Sequence, residues 1–313
     1  MSINCAGESE TIEFIAEQEF KNTRIDKFLA EKLPEMSRSY IQKQIKDGLV
    51  GVNGKPAKSG YKLDAEDCVR ITVEPPKELK IEPENIPLDI IYEDSDIIVI
   101  NKPKQMVVHP APGHYSGTIV NALLYHCKDL SGINGVLRPG IVHRIDQDTT
   151  GVIVACKNDN SHRFIAEQLK VHSITRTYHA IVHNHVKEPE GTITSTIGRH
   201  PVDRKKMAMN VKNGKEAVTH YRVLDELNNK FTYIACNLET GRTHQIRVHM
   251  ASLGNPILGD NVYGPAKCPY KLTGQTLHAK TLGFIHPTTK EYMEFEAPLP
   301  EYFEKLIKSV LRN

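Results

Sequence analysis

The sequence predicts an α+β chain built as two units, a small one opened by helices and a larger one dominated by strands. Three observations carry this reading. Apolar residues at helical spacing occur in short segments near the start and in two later stretches. From Thr175 onward, most apolar runs alternate as strands do. Between the units lies EPPKELKIEPENIP, Glu74 to Pro87, with four prolines, many charges and little to bury. That composition is an extended linker. At 313 residues, the chain has room for a small domain beside a large one.

The elements follow in order. The first ten or so residues are polar and are expected to be loose. A compact unit is expected over residues 13–75. In Arg24–Leu29 the apolar residues fall at helical spacing, and Leu33 closes that face before Pro34. Ser37 or Ser39 can cap a second helix, SRSYIQKQIKDG, which Gly48 ends. Asn53-Gly54 marks a tight turn between short strands. Val69–Val73 alternates and reads as a closing strand. The linker is placed at 76–88 and the large domain at 89–313.

In the large domain, Ile97–Ile100 reads as a buried strand from its unbroken apolar run. Asn101-Lys102-Pro103 then opens a loop containing HPAPGHYSG. Thr118–His126 reads as a short helix and Asn160–Lys170 as an amphipathic one. The segments YHAIVH, GTITSTIG, VTHYRVL, TYIACNL, HQIRVHM, TLGFIH and MEFEA read as strands. No solenoid repeat or low-complexity tract interrupts them.

Composition narrows the function classes. The net charge is only +2 and the pI about 8.1, so contacts to nucleic acid must come from local basic patches. The six cysteines contain no CxxC pair and read as reduced, several of them as small core residues. The absence of a long apolar run or signal peptide leads to the expectation of a cytoplasmic protein without membrane contact. Histidine is plentiful, but His183-x-His185 and His109 with His114 lack zinc-site spacing. No metal site is expected.

The most informative stretch is Arg138–Lys157, RPGIVHRIDQDTTGVIVACK. It places the charged cluster His143-Arg144-Ile145-Asp146 on a loop ahead of a turn at Gly151 and the apolar run Val152–Ala155. A loop anchored to a buried strand can hold a reactive side chain in place. Alone, Asp146 would read as a turn residue or helix cap. The motif, with Thr149 and Gly151 at its end, resembles the catalytic motif of the RluA family of pseudouridine synthases. Two more stretches carry the resemblance. Asn101–Leu124 is similar to the family's first motif, in the form of its RluD-like branch. LETGRTHQIRVH (Leu238–His249), followed by PILGD (Pro256–Asp260), is similar to its third. IGRHPVDRKKMAM and LHAKTLGFIHP fit the same branch. Ile145 stands where Leu is commoner, and Arg176 where Lys is common. The helix–helix–hairpin–strand order of the first unit resembles the S4 RNA-binding domain.

The resemblance implies a pseudouridine synthase fold: a mixed, mostly antiparallel sheet with flanking helices and a central cleft that holds Asp146, plus an N-terminal S4-like α+β domain. It implies an isomerase, an intramolecular transferase, acting on uridines of large-subunit (23S) ribosomal RNA. The reaction breaks the C1′–N1 bond, turns the uracil and rejoins it through C5. Nothing is oxidised, so no cofactor is required. The chemistry needs a carboxylate near C1′, a proton acceptor for C5 and extrusion of the base from its stack. Asp146 is the implied carboxylate, as a nucleophile at C1′ or a base on the sugar. Arg247 is its implied partner, favouring the ionised form. Tyr178 is the implied active-site tyrosine, its ring on the uracil and its hydroxyl at the C5 proton step. As a strand residue alone, it would equally face the core. Arg144 is implied to fill the space of the flipped base; alone it reads as a surface ion pair with Asp148.

Further RNA-contact candidates are Arg242, in a turn after Gly241, the cluster Arg199, Arg204, Lys205 and Lys206, and, in the first unit, Arg24, Arg38 and Lys43. For the clusters, charge alone reads equally as solvated surface. The expected partner is RNA, as free large-subunit rRNA or an assembling subunit, with the protein a monomer. Two other classes compete. A non-catalytic RNA-binding assembly factor on the same fold would not need Asp146, Tyr178 and Arg247 together. A glycoside or nucleoside hydrolase usually needs two facing carboxylates, and one stands in a motif here.

Overall fold

The computed structural model describes residues 9–73, 81–110, 114–133, 135, 138–228, 230–268 and 270–310. The chain divides into two compact units, Met1–Leu79 and Lys80–Asn313. The first consists of β1 (Glu10–Ile15), α1 (Ile25–Lys32), α2 (Arg38–Lys46), β2 (Val50–Val52), β3 (Lys55–Pro56) and β4 (Cys68–Val73). Ser37 caps α2, its side chain accepting from the Tyr40 amide. Asn53 and Gly54 both take positive φ, 51° and 77°, so the β2–β3 turn has the primed twist that suits a hairpin. Phe28, Leu29, Ile41, Ile45, Val69 and Ile71 fill the core. Strand β1 begins within the stretch expected to be loose. It pairs antiparallel with β4 from Glu10↔Val73 to Ile15↔Cys68. Half of that strand is polar because one face is solvated, and its partner lies far along the chain, so local pattern hides it. Residues 1–8 lie outside the described set.

The expected linker 76–88 needs correction. Residues 74–80 are not described, but 81–88 belong to the large unit. Ile81 and Leu88 pack on its core. The Glu84 amide donates to the Asn121 carbonyl at 2.9 Å, and the Glu84 carboxylate accepts from the Gly117 amide. The prolines make this segment extended, yet its few apolar residues suffice to hold it down.

The large unit carries β5 (Ile90–Glu93), β6 (Ile97–Lys102), α3 (Ile119–His126), β7 (Thr150–Cys156), α4 (Asp159–Lys170), β8 (Thr175–His183), β9 (Glu190–Arg199), β10 (Met207–Met209), β11 (Lys215–Leu227), β12 (Phe231–Leu238), α5 (Gln245–Ser252), β13 (Leu277–Ile285), β14 (Tyr292–Glu296) and α6 (Glu301–Lys305). The strands form one sheet in the order β10-β9-β11-β12-β8-β13-β7-β6-β5, with β14 added to β13. Among the described residues the only parallel pairing is β7 with β13, so the sheet is mixed and mostly antiparallel. Thr118 caps α3 in a capping box with Asn121, and Asn158 caps α4. Part of the HPAPGHYSG loop, 111–113, is not described.

One expectation fails outright. HQIRVHM is not a strand; Gln245–Ser252 is helix α5. Its apolar residues alternate, but Gln245–Met250 are buried on every side. When a short helix is wrapped on all faces, alternation no longer reports its period.

Candidate active site

Asp146 lies on the loop that enters β7, the strand that joins the two antiparallel parts of the sheet. Four devices hold that loop. Ile145 is buried in the core. The Thr149 amide donates to the Asp146 carbonyl at 3.0 Å and closes a turn. Lys102, fully buried, donates from Nζ to the carbonyls of Pro103, Met106 and Gln147 at 2.8, 2.9 and 2.9 Å. It thereby staples the Asp146 loop to the one after β6. Desolvation pushes the Lys102 ammonium down to about 7, against the attraction of Asp148 and Asp146. Gly151 is the fourth device. At φ 111° a Cβ there would stand 2.1 Å from the Ala279 carbonyl, so only glycine lets β7 meet β13 directly behind the loop.

The Asp146 carboxylate is 17 % exposed and accepts from Arg247 Nη1 at 2.9 Å. Arg247 turns its other edge to Asp260, with Nε at 2.7 Å and Nη2 at 3.0 Å. Asp260 also accepts from the amides of Val262 and Tyr263. Burial opposes both charges. The Arg247 pairing and the two amides nevertheless hold the Asp260 carboxyl below its usual range, and the two carboxylates hold Arg247 above its own. Arg247 reaches this position because α5 is a helix. Its entry turn is knitted by the Gln245 side chain, which accepts from Thr240 Oγ1 and the Arg242 amide. His244 enters the helix at φ 57°.

His244 Nε2 lies 3.9 Å from the Asp146 carboxylate. The Tyr263 hydroxyl accepts from the Met207 amide at 2.7 Å and shares a hydrogen bond with His244 Nδ1 at 2.9 Å. Burial, more than the opposing Asp146 charge, keeps the imidazole below its usual pKa. His143 is occupied differently: its Nε2 accepts the Val154 amide at 3.1 Å, and desolvation holds its pKa down at about 3. His249 is bonded inside the fold to Ser195 and Thr219.

Tyr178, on β8, is buried at the wall of the same cleft. Desolvation raises its hydroxyl pKa; the Arg176 cation opposes that rise, and the Asp146 carboxylate adds to it. The cleft encloses about 320 Å³, is lined by Asp146, Tyr178, Arg247, Arg144, Arg242 and Arg176 among others, and is of a size that takes a small ligand. Arg144 is exposed at its edge, and among the described residues no ion pair joins it to Asp148. Arg242 is tied by Nε to the Glu216 carbonyl.

The other predicted basic residues lie elsewhere. Arg199, Arg204, Lys205 and Lys206 sit on the β9–β10 hairpin, outside the cleft lining, with Arg199 bonded to the Arg204 carbonyl. In the first unit, Arg24 and Arg38 share one carboxylate, Asp26, at 3.0 and 2.9 Å. Burial pushes Asp26 up, but hydrogen bonds from Arg24, Gln42 and Arg38 bring it to about 2. Lys43 is exposed on α2. Sequence reasoning missed Asp260, Lys102, Asp26 and the Tyr263–His244 link. A lysine inside the apolar strand IIVINK was the one visible signal. It also missed two groups with metal-ligand donors, Glu93/His126/Cys127 and Asp94/Asp96/His286. The carboxylates in these groups are engaged by protein groups, including Lys157, Tyr92, Ser161 and Thr288. Of the cysteines, Cys127, Cys156 and Cys236 are buried and free.

Comparison with known proteins decides the family. The RNA pseudouridylate synthase family matches residues 96–252, and the S4 domain family matches residues 23–69. The chain is 51% identical over 302 residues to an uncharacterized RNA pseudouridine synthase of Bacillus subtilis, covering 96% of this chain and 99% of that one. The chain belongs to the RNA pseudouridylate synthase family. It is an isomerase that carries an S4 domain at its N-terminus. The enzyme is also 44% identical over 306 residues to the ribosomal large subunit pseudouridine synthase D of Zymomonas mobilis, covering 94% of this chain and 96% of that one. Among solved structures, it is similar to human RNA pseudouridylate synthase domain-containing protein 1. The TM-score is 0.56 at 26% identity, over 69% of this chain and 84% of that chain. No described helix is long and apolar enough to cross a membrane.

Proposed function

We propose that this pseudouridine synthase modifies uridines of large-subunit ribosomal RNA, with Asp146 as the carboxylate at the ribose. One observation carries the assignment: Asp146 is the only carboxylate lining the cleft among the described residues, and it is paired with buried Arg247. Arg247 holds the Asp146 carboxylate in position through the 2.9 Å ion pair. Tyr178 stands against the uracil once the base has left its stack, and its hydroxyl serves the C5 proton step. That proton's counterpart ends on N1, so the uridine is isomerised without loss of atoms. Arg144 occupies the gap left by the extruded base. The S4 domain docks the RNA through Arg24, Arg38 and Lys43. The relatives named as large-subunit synthases support the substrate class.

The test is pseudouridine mapping of ribosomal RNA from cells lacking the gene. Specific large-subunit positions should revert to uridine, return with the wild-type gene and stay uridine with Asp146→Asn. Full modification in the deletion strain would remove ribosomal RNA as the substrate. A non-catalytic assembly role predicts equal rescue by Asp146→Asn.

A further inference from the structure

Arg176 is a buried cation that pairs with no carboxylate among the described residues. It precedes Tyr178 by two residues on β8, so both side chains leave the same face of the strand, about 7 Å apart. Only 8 % of Arg176 is exposed. Nη2 donates to the carbonyls of Leu238 and Glu239. Nε is buried with no hydrogen-bond partner, and no described carboxylate pairs with the guanidinium. Desolvation, joined by the nearby Arg242, works against its charge. A buried cation left in that state is costly unless something completes it.

The surroundings point to an anion. Among the described residues, four arginines line the cleft, Arg144, Arg176, Arg242 and Arg247, against the single carboxylate of Asp146, which Arg247 already holds. Gly241 also lines the cleft and passes directly over Nη1, where a Cβ would stand 2.8 Å away. The turn is bare at the point where Nη1 would otherwise be covered.

We infer that Arg176 and the Thr240–Arg242 turn form a phosphate subsite, in which Nη1 takes a phosphodiester oxygen of the RNA strand beside the extruded uridine. The inference rests on RNA as the substrate, as proposed above. A phosphate there supplies the missing negative charge and anchors the strand while Tyr178 meets the base.

The test reads binding without turnover, in the full chain carrying Asp146→Asn. Affinity for a transcript of large-subunit rRNA is measured between about 50 and 200 mM salt. Adding Arg176→Gln, which keeps an N–H donor for the carbonyls but loses the charge, should reduce the log–log salt slope by roughly 0.7, one single-strand phosphate contact. Arg176→Lys should retain the slope. Gly241→Ala keeps the charge and covers Nη1, so it should reproduce the loss even if the Gln variant does not fold. An unchanged slope in folded Arg176→Gln or in Gly241→Ala overturns the subsite. So does an unchanged slope combined with lower turnover at saturating RNA in the Asp146-intact enzyme, which would place Arg176 on the base. If the parent protein itself shows no salt-dependent RNA binding, the RNA reading fails, and the subsite with it.

Discussion

Asp146 receives a single N–H from Arg247, Nη1 at 2.9 Å, because the rest of that guanidinium is committed to Asp260. The half-open carboxylate is thus held by a cation that is itself locked from behind. Function and stability are separable along this chain of charges.

Asp146→Asn should abolish pseudouridine formation, keep RNA affinity within a few-fold and change stability little, since Asp146 is partly solvated. Arg247→Ala should lose activity and stability together, because it strands buried Asp260; breaking a buried pair costs about 3–5 kcal/mol. Urea unfolding beside a pseudouridine assay checks both. Equal stability loss in the two variants would refute the separation.

Asp260 adds a pH dependence of known sign. Its folded pKa lies below the ordinary aspartate value, so its stabilisation is complete above about pH 4, the unfolded pKa, and is lost as pH falls through the folded one. Asp260→Asn should flatten that acid limb in unfolding curves. A wild-type acid profile in the variant would remove Asp260 from the balance.

Tyr178→Phe keeps the ring and removes the hydroxyl. The variant should bind RNA normally and stall after glycosidic chemistry has begun, with RNA containing 5-fluorouridine as the probe of the C5 step. Wild-type turnover on ordinary RNA would restrict Tyr178 to packing.

In the S4 domain, Asp26→Ala should release Arg24 and Arg38 from their shared carboxylate. With Asp26 at about 2 and both arginines half exposed, screening leaves about 1–2 kcal/mol of stability at neutral pH. The wild-type domain should lose it as pH falls from about 4 to about 2. Thermal unfolding of the domain at both pH values reads this directly.

A chain truncated at Lys80 should fold and bind RNA with a smaller salt slope, by roughly 0.7–0.9 per lost phosphate contact. Truncation at Leu88 should be less stable, since it discards Ile81 and the Glu84 bonds to Asn121 and Gly117. Equal melting temperatures for the two would make residues 81–87 a linker after all.

The sequence by itself determined the two units, most strands and helices, and the motifs that carry Asp146, Tyr178 and Arg247. Caps, turns, apolar periods and motifs are local, and Ser37, Asn53-Gly54 and His143–Asp146 each act within a few residues. Tertiary structure decided what depends on partners far along the chain. Strand β1 exists because β4 pairs with it. HQIRVHM is a helix because burial on all sides overrides its alternation. Lys102 is a staple because three carbonyls from two loops converge on it. Arg247 faces Asp146 across 101 residues only once α5 is docked, and Asp260 locks it there. The charges of Asp260 and Arg176 were legible as letters. Their meaning, one compensated and the other not, arose from desolvation and from which opposite charges folding brought within reach.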